Sequence, residues 1–514
     1  MKHLRKIRIA SQIIFFLFFL FLFLQATFPY RAIIPSEFFL QWSPLTALIT
    51  FLASHRFTAA MIPAGILLFL TIFLGRFFCG WICPLGSMID FADLFIKRKR
   101  KLTRNTARFR WIKFGVLTAL IVMALISVQF AWLFDPLALS NRTFTTSIYP
   151  IFAVLIETVF GWLWPITGLQ SALMSLHEFL ESWLLPLNLH FISQGIPIFL
   201  LFLGILLLSL IAKRFWCRNI CPLGALLGIF SKYRILERTV RGVDCTNCRI
   251  CRVDCRINAI EDNFINFSKV ECIDAFDCAS GCPENAVSYK FKVKGVLPSR
   301  IDFSKRRFLQ SVGTGVLSAG LLKIDFVNRE TRGNRVRPPG ALPEAKFLDQ
   351  CIRCQECVRV CTTTGSLLQP AWLEMGWEGI WSPIGSPREG YCEFTCNLCG
   401  RVCPTGAIHL LDLPKKQKTR IGTAFFDRNR CIPWNSGDNC MVCQEHCPTP
   451  EKAIIFREGE FITGEKKIKR VKYPYVKEDL CIGCGICVTK CPVEGTAGIF
   501  ITGEGEERFE EQEF

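Results

Sequence analysis

A helical membrane bundle followed by two small α+β domains, each stapled by metal clusters, is the architecture this sequence predicts. Three observations carry it. Apolar residues crowd the first 230 positions of the 514-residue chain, which is 51% hydrophobic and holds 46 phenylalanines. All 27 cysteines fall into motifs with metal-ligand spacing, and 23 of them lie from Cys245 onward. The basic residues sit where membrane topology would place them.

The elements follow in order. Residues 10–29 form an apolar run of spanning length, preceded by Lys2, Arg5, Lys6 and Arg8, which puts the N-terminus in the cytoplasm. The run is long and lacks a small-residue cleavage site, so it reads as an anchor rather than a cleaved signal peptide. Further spans are expected at about 58–78, 111–133 and 195–213. Between the second and third lies the basic run Lys97, Arg98, Lys99, Arg100, Lys101, Arg104, Arg108, Arg110 and Lys113. From Asp135 to Pro197 there is no lysine, one arginine (Arg142) and four acids. The first loop is therefore expected inside and the second outside. The segment 144–190 is apolar but broken by Pro150, Gly161, Pro165 and Pro186. Zero crossings, with its helices on the outer surface, gives four spans; two crossings is the alternative.

The net charge of +18 is accounted for by this topology, and no nucleic-acid partner is expected. An odd cysteine count argues against a fully paired disulfide framework, and no C-x-x-C-H haem motif occurs.

The second and fourth spans end alike, in Arg76-Phe-Phe-Cys79-Gly-Trp-Ile-Cys83-Pro84-Leu85-Gly86 and Arg214-Phe-Trp-Cys217-Arg-Asn-Ile-Cys221-Pro222-Leu223-Gly224. Internal repeats in membrane proteins often build one site at their interface. Thiols at i and i+4 share a helix face, so the two pairs are able to converge on one cluster. A redox-active thiol site beside a quinone pocket, or plain structural thiols, are the other readings of Cys79, Cys83, Cys217 and Cys221.

Residues 236–298 carry Cys245, Cys248, Cys251 and Cys255, then Cys272, Cys278 and Cys282. In paired-cluster folds three cysteines of a C-x2-C-x2-C-x3-C run hold one cluster and the fourth goes to its neighbour. Cluster one then takes Cys245, Cys248, Cys251 and Cys282. Cluster two takes Cys272, Cys278 and Cys255, and Ala275 occupies the position of its fourth ligand. Three readings stay open there: a [3Fe–4S] cluster, a [4Fe–4S] cluster with Asp274 or Asp277 as ligand, or none.

Residues 337–503 hold four complete quartets: Cys351, Cys354, Cys357 and Cys361; Cys392, Cys396, Cys399 and Cys403; Cys431, Cys440, Cys443 and Cys447; Cys481, Cys484, Cys487 and Cys491. They suit four [4Fe–4S] clusters. Zinc ribbons use separated C-x2-C pairs instead. Spacing does not say whether the first motif pairs with the second or the fourth. Residues 300–336 connect the two cysteine-rich domains, and an acidic tail occupies 504–514.

The first 295 residues resemble NapH-type membrane quinol dehydrogenase components, through the two C-x3-C-P-L-G motifs, the four spans and a ferredoxin-like domain. Residues 304–500 resemble NapG/MauM-type ferredoxins, through Arg337-Pro-Pro-Gly-Ala-Leu-Pro-Glu, Gly390-Tyr-Cys392, Cys431-Ile-Pro-Trp434 and His446-Cys-Pro-Thr-Pro-Glu451. Ser304-Lys305-Arg306-Arg307-Phe308-Leu309-Gln310 resembles a twin-arginine signal with Lys305 at its first arginine, followed by about 12 apolar residues. A natural fusion of the two proteins is implied. It would sit in the bacterial inner membrane as a multi-pass protein, with an uncleaved internal anchor and its last domain periplasmic. The resemblance implies quinol as substrate, the quinol pool as electron source, and a periplasmic reductase or cytochrome subunit as acceptor. A conduit for cytoplasmic, ferredoxin-type electrons is the alternative, as is a redox sensor or assembly factor. An acid–base enzyme is disfavoured, with six histidines in no recognisable constellation.

Overall fold

The computed structural model describes residues 2–30, 32–96, 107–165, 170–183, 192–291, 303–324, 335–462 and 468–510. Most of the basic run at 97–106, part of 144–190, the linker arginines Arg329 and Arg332, and the end of the acidic tail fall outside them. The chain divides into two compact units: 1–23, 34–143 and 196–322; and 24–33, 144–195 and 323–514.

In the first unit the expected spans fall on the helices Lys2–Gln25, Ala59–Leu74, Trp111–Leu125 and Gly195–Leu210. Only the first of these is long and apolar enough to cross a membrane alone. Gly75, at φ 72°, ends Ala59–Leu74, and Arg214, at φ 49°, marks the corresponding break in the other copy. Each copy continues through a short helix, Phe77–Trp81 or Phe215–Asn219, to a second cysteine that caps a Pro-led helix, Pro84–Phe95 or Pro222–Ser231. Proline at the first helical turn needs no N–H partner, so Cys-Pro is a natural helix start.

The segment Leu236–Phe291 closes with an antiparallel pair, Leu236–Val240 on Val287–Phe291. It carries the short helices Ile250–Asp254 and Asp277–Ser280. The later helix Lys305–Lys323 lies along Trp111–Leu125 through small residues. A Cβ on Gly315 would meet Ala119 and Val122 at 2.9 Å, and one on Gly115 would meet the Ser311 hydroxyl at 2.8 Å.

The interruption expected over 144–190 is weaker than its prolines suggest. One π-turn, Phe144–Ile148, joins Pro136–Thr143 to Tyr149–Leu163, and Pro150 sits in the first turn after it. Pro136–Leu163 thereby becomes the second helix long and apolar enough to span a membrane.

The second unit is built on three two-stranded antiparallel sheets: Leu368–Pro370 with Pro383–Gly385, Thr423–Phe426 with Ile499–Thr502, and Ile454–Ile462 with Ile468–Val476. Buried aliphatics and cysteines share its two main cores. Segments from the N-terminal half belong to these cores. Ala26 packs with Val360, Leu398 and Val402, and Ile192 packs with Phe347 and Val358. The Phe28 amide donates to Thr363 Oγ1 at 3.0 Å, and the Ser193 amide to Gln369 Oε1 at 3.1 Å.

Candidate functional site

All 27 cysteines are free thiols in this structure. Among the described residues no three His, Cys, Asp or Glu donors close on a single metal ion. The thiols stand instead around hollows in crossed sets.

In the second unit Cys431, Cys440 and Cys443 line a hollow of about 340 Å³ with Cys491. Cys481, Cys484 and Cys487 line one of about 350 Å³ with Cys447. Cys403 stands beside Cys351, Cys354 and Cys357, and burial with the charges of Cys354, Cys351 and Cys403 pushes the Cys357 thiol well up. Cys361 stands with Cys392, Cys396 and Cys399. The first motif therefore pairs with the second, and the third with the fourth. One backbone bond joins the two pairs: the Cys392 amide donates to the Cys484 carbonyl at 2.7 Å. The four sets thus adjoin in the order first, second, fourth, third.

Three features make these sets fit iron–sulfur cubanes. Two tight loops place residues two and four beyond their first cysteine at positive φ, Arg353 and Gln355 in one, Gly483 and Gly485 in the other. Their third cysteines then enter short helices, Glu356–Cys361 and Ile486–Thr489. Polar groups face the sulfurs: the Leu368 amide donates to Cys361 at 3.4 Å, and the Thr449 hydroxyl shares a hydrogen bond with the Cys447 sulfur at 3.2 Å. Such bonds help set the potential of a bound cluster.

The residues shared with NapG/MauM ferredoxins have structural work near these sets. Buried Arg337 donates to Glu344 at 3.0 and 2.5 Å and to the Pro383 carbonyl at 2.7 Å. Gly390 lies so close to Gly365 that a Cβ would sit 2.2 Å from its carbonyl. Trp434 stacks on Tyr473 with ring centres 4.4 Å apart, under the Arg428 guanidinium.

In the first unit Cys245, Cys248, Cys251 and Cys282 line a hollow of about 380 Å³, with Cys248 exposed. Cys272 and Cys278 each lie within charge range of Cys255.

The four thiols of the repeated motif also come together. Burial and the charges of Cys79, Cys217 and Cys221 push Cys83 well above its usual range. Burial raises Cys217 to about 11, against the pull of Arg214 and Arg76. The arginine of each repeat reaches into the other. Arg214 donates to the Cys79 carbonyl at 2.7 Å and to the Gly86 carbonyl at 3.3 Å. Arg76 lies against Gly224, where a Cβ would be 2.5 Å from its Nη2, and that nitrogen has no hydrogen-bond partner among the described residues. Both buried guanidiniums lie within charge range of the thiols while paired with carboxylates, Arg76 with Glu271 at 3.4 Å and Arg214 with Asp90.

A chain of buried ion pairs anchors this loop to the Cys245–Cys282 segment. Arg214 donates to Asp90 at 2.8 and 2.7 Å, Asp90 meets Arg256 at 2.8 Å, and Arg256 meets Asp277 at 2.8 Å. Burial would raise the Asp90 carboxyl, but Arg214 and Arg256 hold it well below the usual carboxylate range. The Trp81 indole donates to the Asp274 carbonyl at 2.9 Å, so the repeat lies directly on the loop of Cys272. Sequence reasoning quoted Arg76 and Arg214 as part of the motif and gave them no role; their recurrence at its first position was the available signal.

Residues 57–103 and 194–241 match a family model described as "4Fe-4S binding domain", and residues 474–494 match a second model of the same description. The methylamine utilization ferredoxin-type protein MauM of Methylorubrum extorquens is 37% identical over 189 residues, covering 35% of this chain and 79% of that protein. The ferredoxin-type protein NapG of Escherichia coli is 32% identical over 201 residues, covering 38% and 83%. An uncharacterized protein of Methanocaldococcus jannaschii is 26% identical over 265 residues, covering 52% and 84%. No solved structure matches. Crossed cysteine sets and these likenesses define an iron–sulfur electron-transfer protein that binds 4Fe–4S clusters. The chain belongs to the NapG/MauM family of ferredoxin-type proteins, and a fused NapH/NapG-type protein fits it.

Proposed function

We propose that this protein oxidises quinol at the face of a membrane domain, residues 1–235, and delivers the electrons to a periplasmic reductase or cytochrome subunit. A quinol gives up two electrons and two protons, whereas each bound cluster takes one electron at a time. Cys79, Cys83, Cys217 and Cys221 would hold one [4Fe–4S] cluster beside the quinol, and Cys245, Cys248, Cys251 and Cys282 another. The sixteen cysteines of 337–503 would hold four more. The observation that carries the reading is the convergence of both repeated motifs on one thiol set, packed directly against the loop of Cys272.

Packing supports a multi-pass position in the inner membrane with 337–503 outside. Residues 24–33 and both ends of 144–195 lie on that domain: Arg401 covers Tyr30 at 4.3 Å, Arg359 covers Tyr149 at 4.2 Å, and Ser193 binds Gln369. Both ends of 144–195 then share one side, so that segment crosses an even number of times. The small-residue seam of Ser311, Gly315 and Ala319 suits an anchor that stays in the bilayer after export. Ala26 and Ile192 pack beside the first two outer sets, which makes those the entry and the Cys431 set the exit.

Anaerobic addition of a quinol analogue to the purified protein should bleach the cluster absorption. Bleaching by dithionite but not by quinol would contradict the proposal. The exposed Cys248 favours one second reading, entry of electrons from a soluble cytoplasmic donor. Reduction by ferredoxin without quinone dependence would select it.

A further inference from the structure

The loop Cys272–Cys278 has lost its middle cysteine to Ala275, yet it has kept a cluster-wrapping backbone. Asp274 and Phe276 stand at φ 50° and 57°, in the positions where the complete loop Cys245–Cys251 has Asn247 and Arg249 at 56° and 66°. The loop Cys351–Cys357 repeats the pattern with Arg353 and Gln355 at 48° and 67°. Left-handed backbone at a bulky residue such as Phe276 costs on the order of 1–3 kcal/mol and persists where its surroundings impose it. As in the complete loops, the third cysteine then enters a short helix, here Asp277–Ser280.

The ligands on offer number three. Cys272 and Cys278 each lie within charge range of Cys255. Both nearby carboxylates are held by arginines. Asp274 is buried, and its two oxygens accept from Arg234 at 2.7 and 3.0 Å, with Oδ1 also accepting from the Cys272 thiol at 3.6 Å. Asp277 accepts from Arg256 at 2.8 Å; its other oxygen, without a hydrogen bond among the described residues, lies 3.3 and 3.8 Å from the Arg5 and Arg8 guanidiniums. Tyr289 also faces the site, on the side of Cys278. Its hydroxyl lies 3.3 Å from the Cys278 sulfur and within charge range of Cys272 and Asp274, with its ring against Phe276.

We infer that Cys255, Cys272 and Cys278 hold a [3Fe–4S] cluster, with Ala275 at the corner that lacks a ligand and the Tyr289 hydroxyl hydrogen-bonded to the Cys278 sulfur. The inference rests on the reading that these thiol sets hold clusters and does not depend on quinol oxidation. A three-iron centre is paramagnetic when oxidised, whereas oxidised [4Fe–4S] centres of the ferredoxin type are silent. The site adjoins the repeated motif through Trp81 and Asp274. A hydrogen bond to sulfur raises a cluster's potential, so Tyr289 would hold this centre as a ready acceptor.

The test is EPR of the full-length protein, anaerobically purified and oxidised, with iron and sulfide counted on the same sample. One paramagnetic centre per chain is expected, silent in Ala275→Cys, where a fourth thiolate restores a four-iron cluster. A signal that survives Ala275→Cys would come from damage at another site and would overturn the inference. So would a wild type that is silent when oxidised. Should Ala275→Cys fail to fold, Tyr289→Phe decides: the signal should remain and its midpoint potential should fall, and an unchanged potential would remove Tyr289 from the site. Quinol enters none of these readouts, so a failed quinol assay leaves them standing.

Discussion

The two cysteine-rich regions use the same loops to opposite ends. Around Cys245 the first set is open, with Cys248 exposed; around Cys351 and Cys481 the thiols are buried and each set abuts the next. Residues 337–503, the proposed outer region, pair all sixteen of their cysteines, whereas residues 236–298, the proposed inner region, leave a corner to Ala275. Backbone conformation and ligand supply are therefore separable: a loop keeps its left-handed residues when a ligand is gone. Burial differs from set to set: the thiols of Cys351–Cys357 and Cys481–Cys487 are buried, whereas those of Cys392–Cys403 are half-buried.

The comparison breaks most visibly at the junction of the outer sets. Gly365→Ala would place a Cβ 2.1 Å from the Tyr391 carbonyl, beside Cys392. Backbone at that distance has nowhere to go, so loss of the second outer cluster is expected as a fall in iron and sulfide, with the inner clusters retained. Arg337→Ala is a smaller change. It removes the guanidinium that ties Glu344 to Ser382 and the Pro383 carbonyl. A loss of about 2 kcal/mol is expected for such charge-assisted bonds, discounted because Glu344 is partly exposed. It should appear as a lower thermal midpoint of the outer domain alone. Trp434→Leu is the smallest. It removes the tilted contact with Tyr473 and the edge-on contact with Tyr475 near the Cys431 set. All four outer clusters should remain, with only a few-fold slower transfer to an external acceptor by stopped flow.

Much of this was legible in the residues because cluster ligands are local. A C-x2-C-x2-C run specifies three corners of a site within seven residues. The pairing was not legible, because Cys403 and Cys491 arrive by long-range closure. The Ala341–Ile408 bridge and the pairing of Thr423–Phe426 with Ile499–Thr502 bring them in, and neither leaves a periodic signal. The same holds for Arg76 and Arg214, whose place in the motif is plain but whose reach across the repeat is tertiary. The helix Pro136–Leu163 was obscured because Pro150 reads as a breaker, yet it follows a π-turn where its missing N–H does no harm.

The convergence of the repeated motifs is the centre of the account, and one measurement addresses it. Iron and labile sulfide should be compared between wild type and the double variant Cys79→Ala/Cys217→Ala, with EPR of the other centres as control. Loss of one four-iron cluster per chain, with the inner and outer signals intact, is the predicted result. Unchanged iron in a folded variant would contradict it.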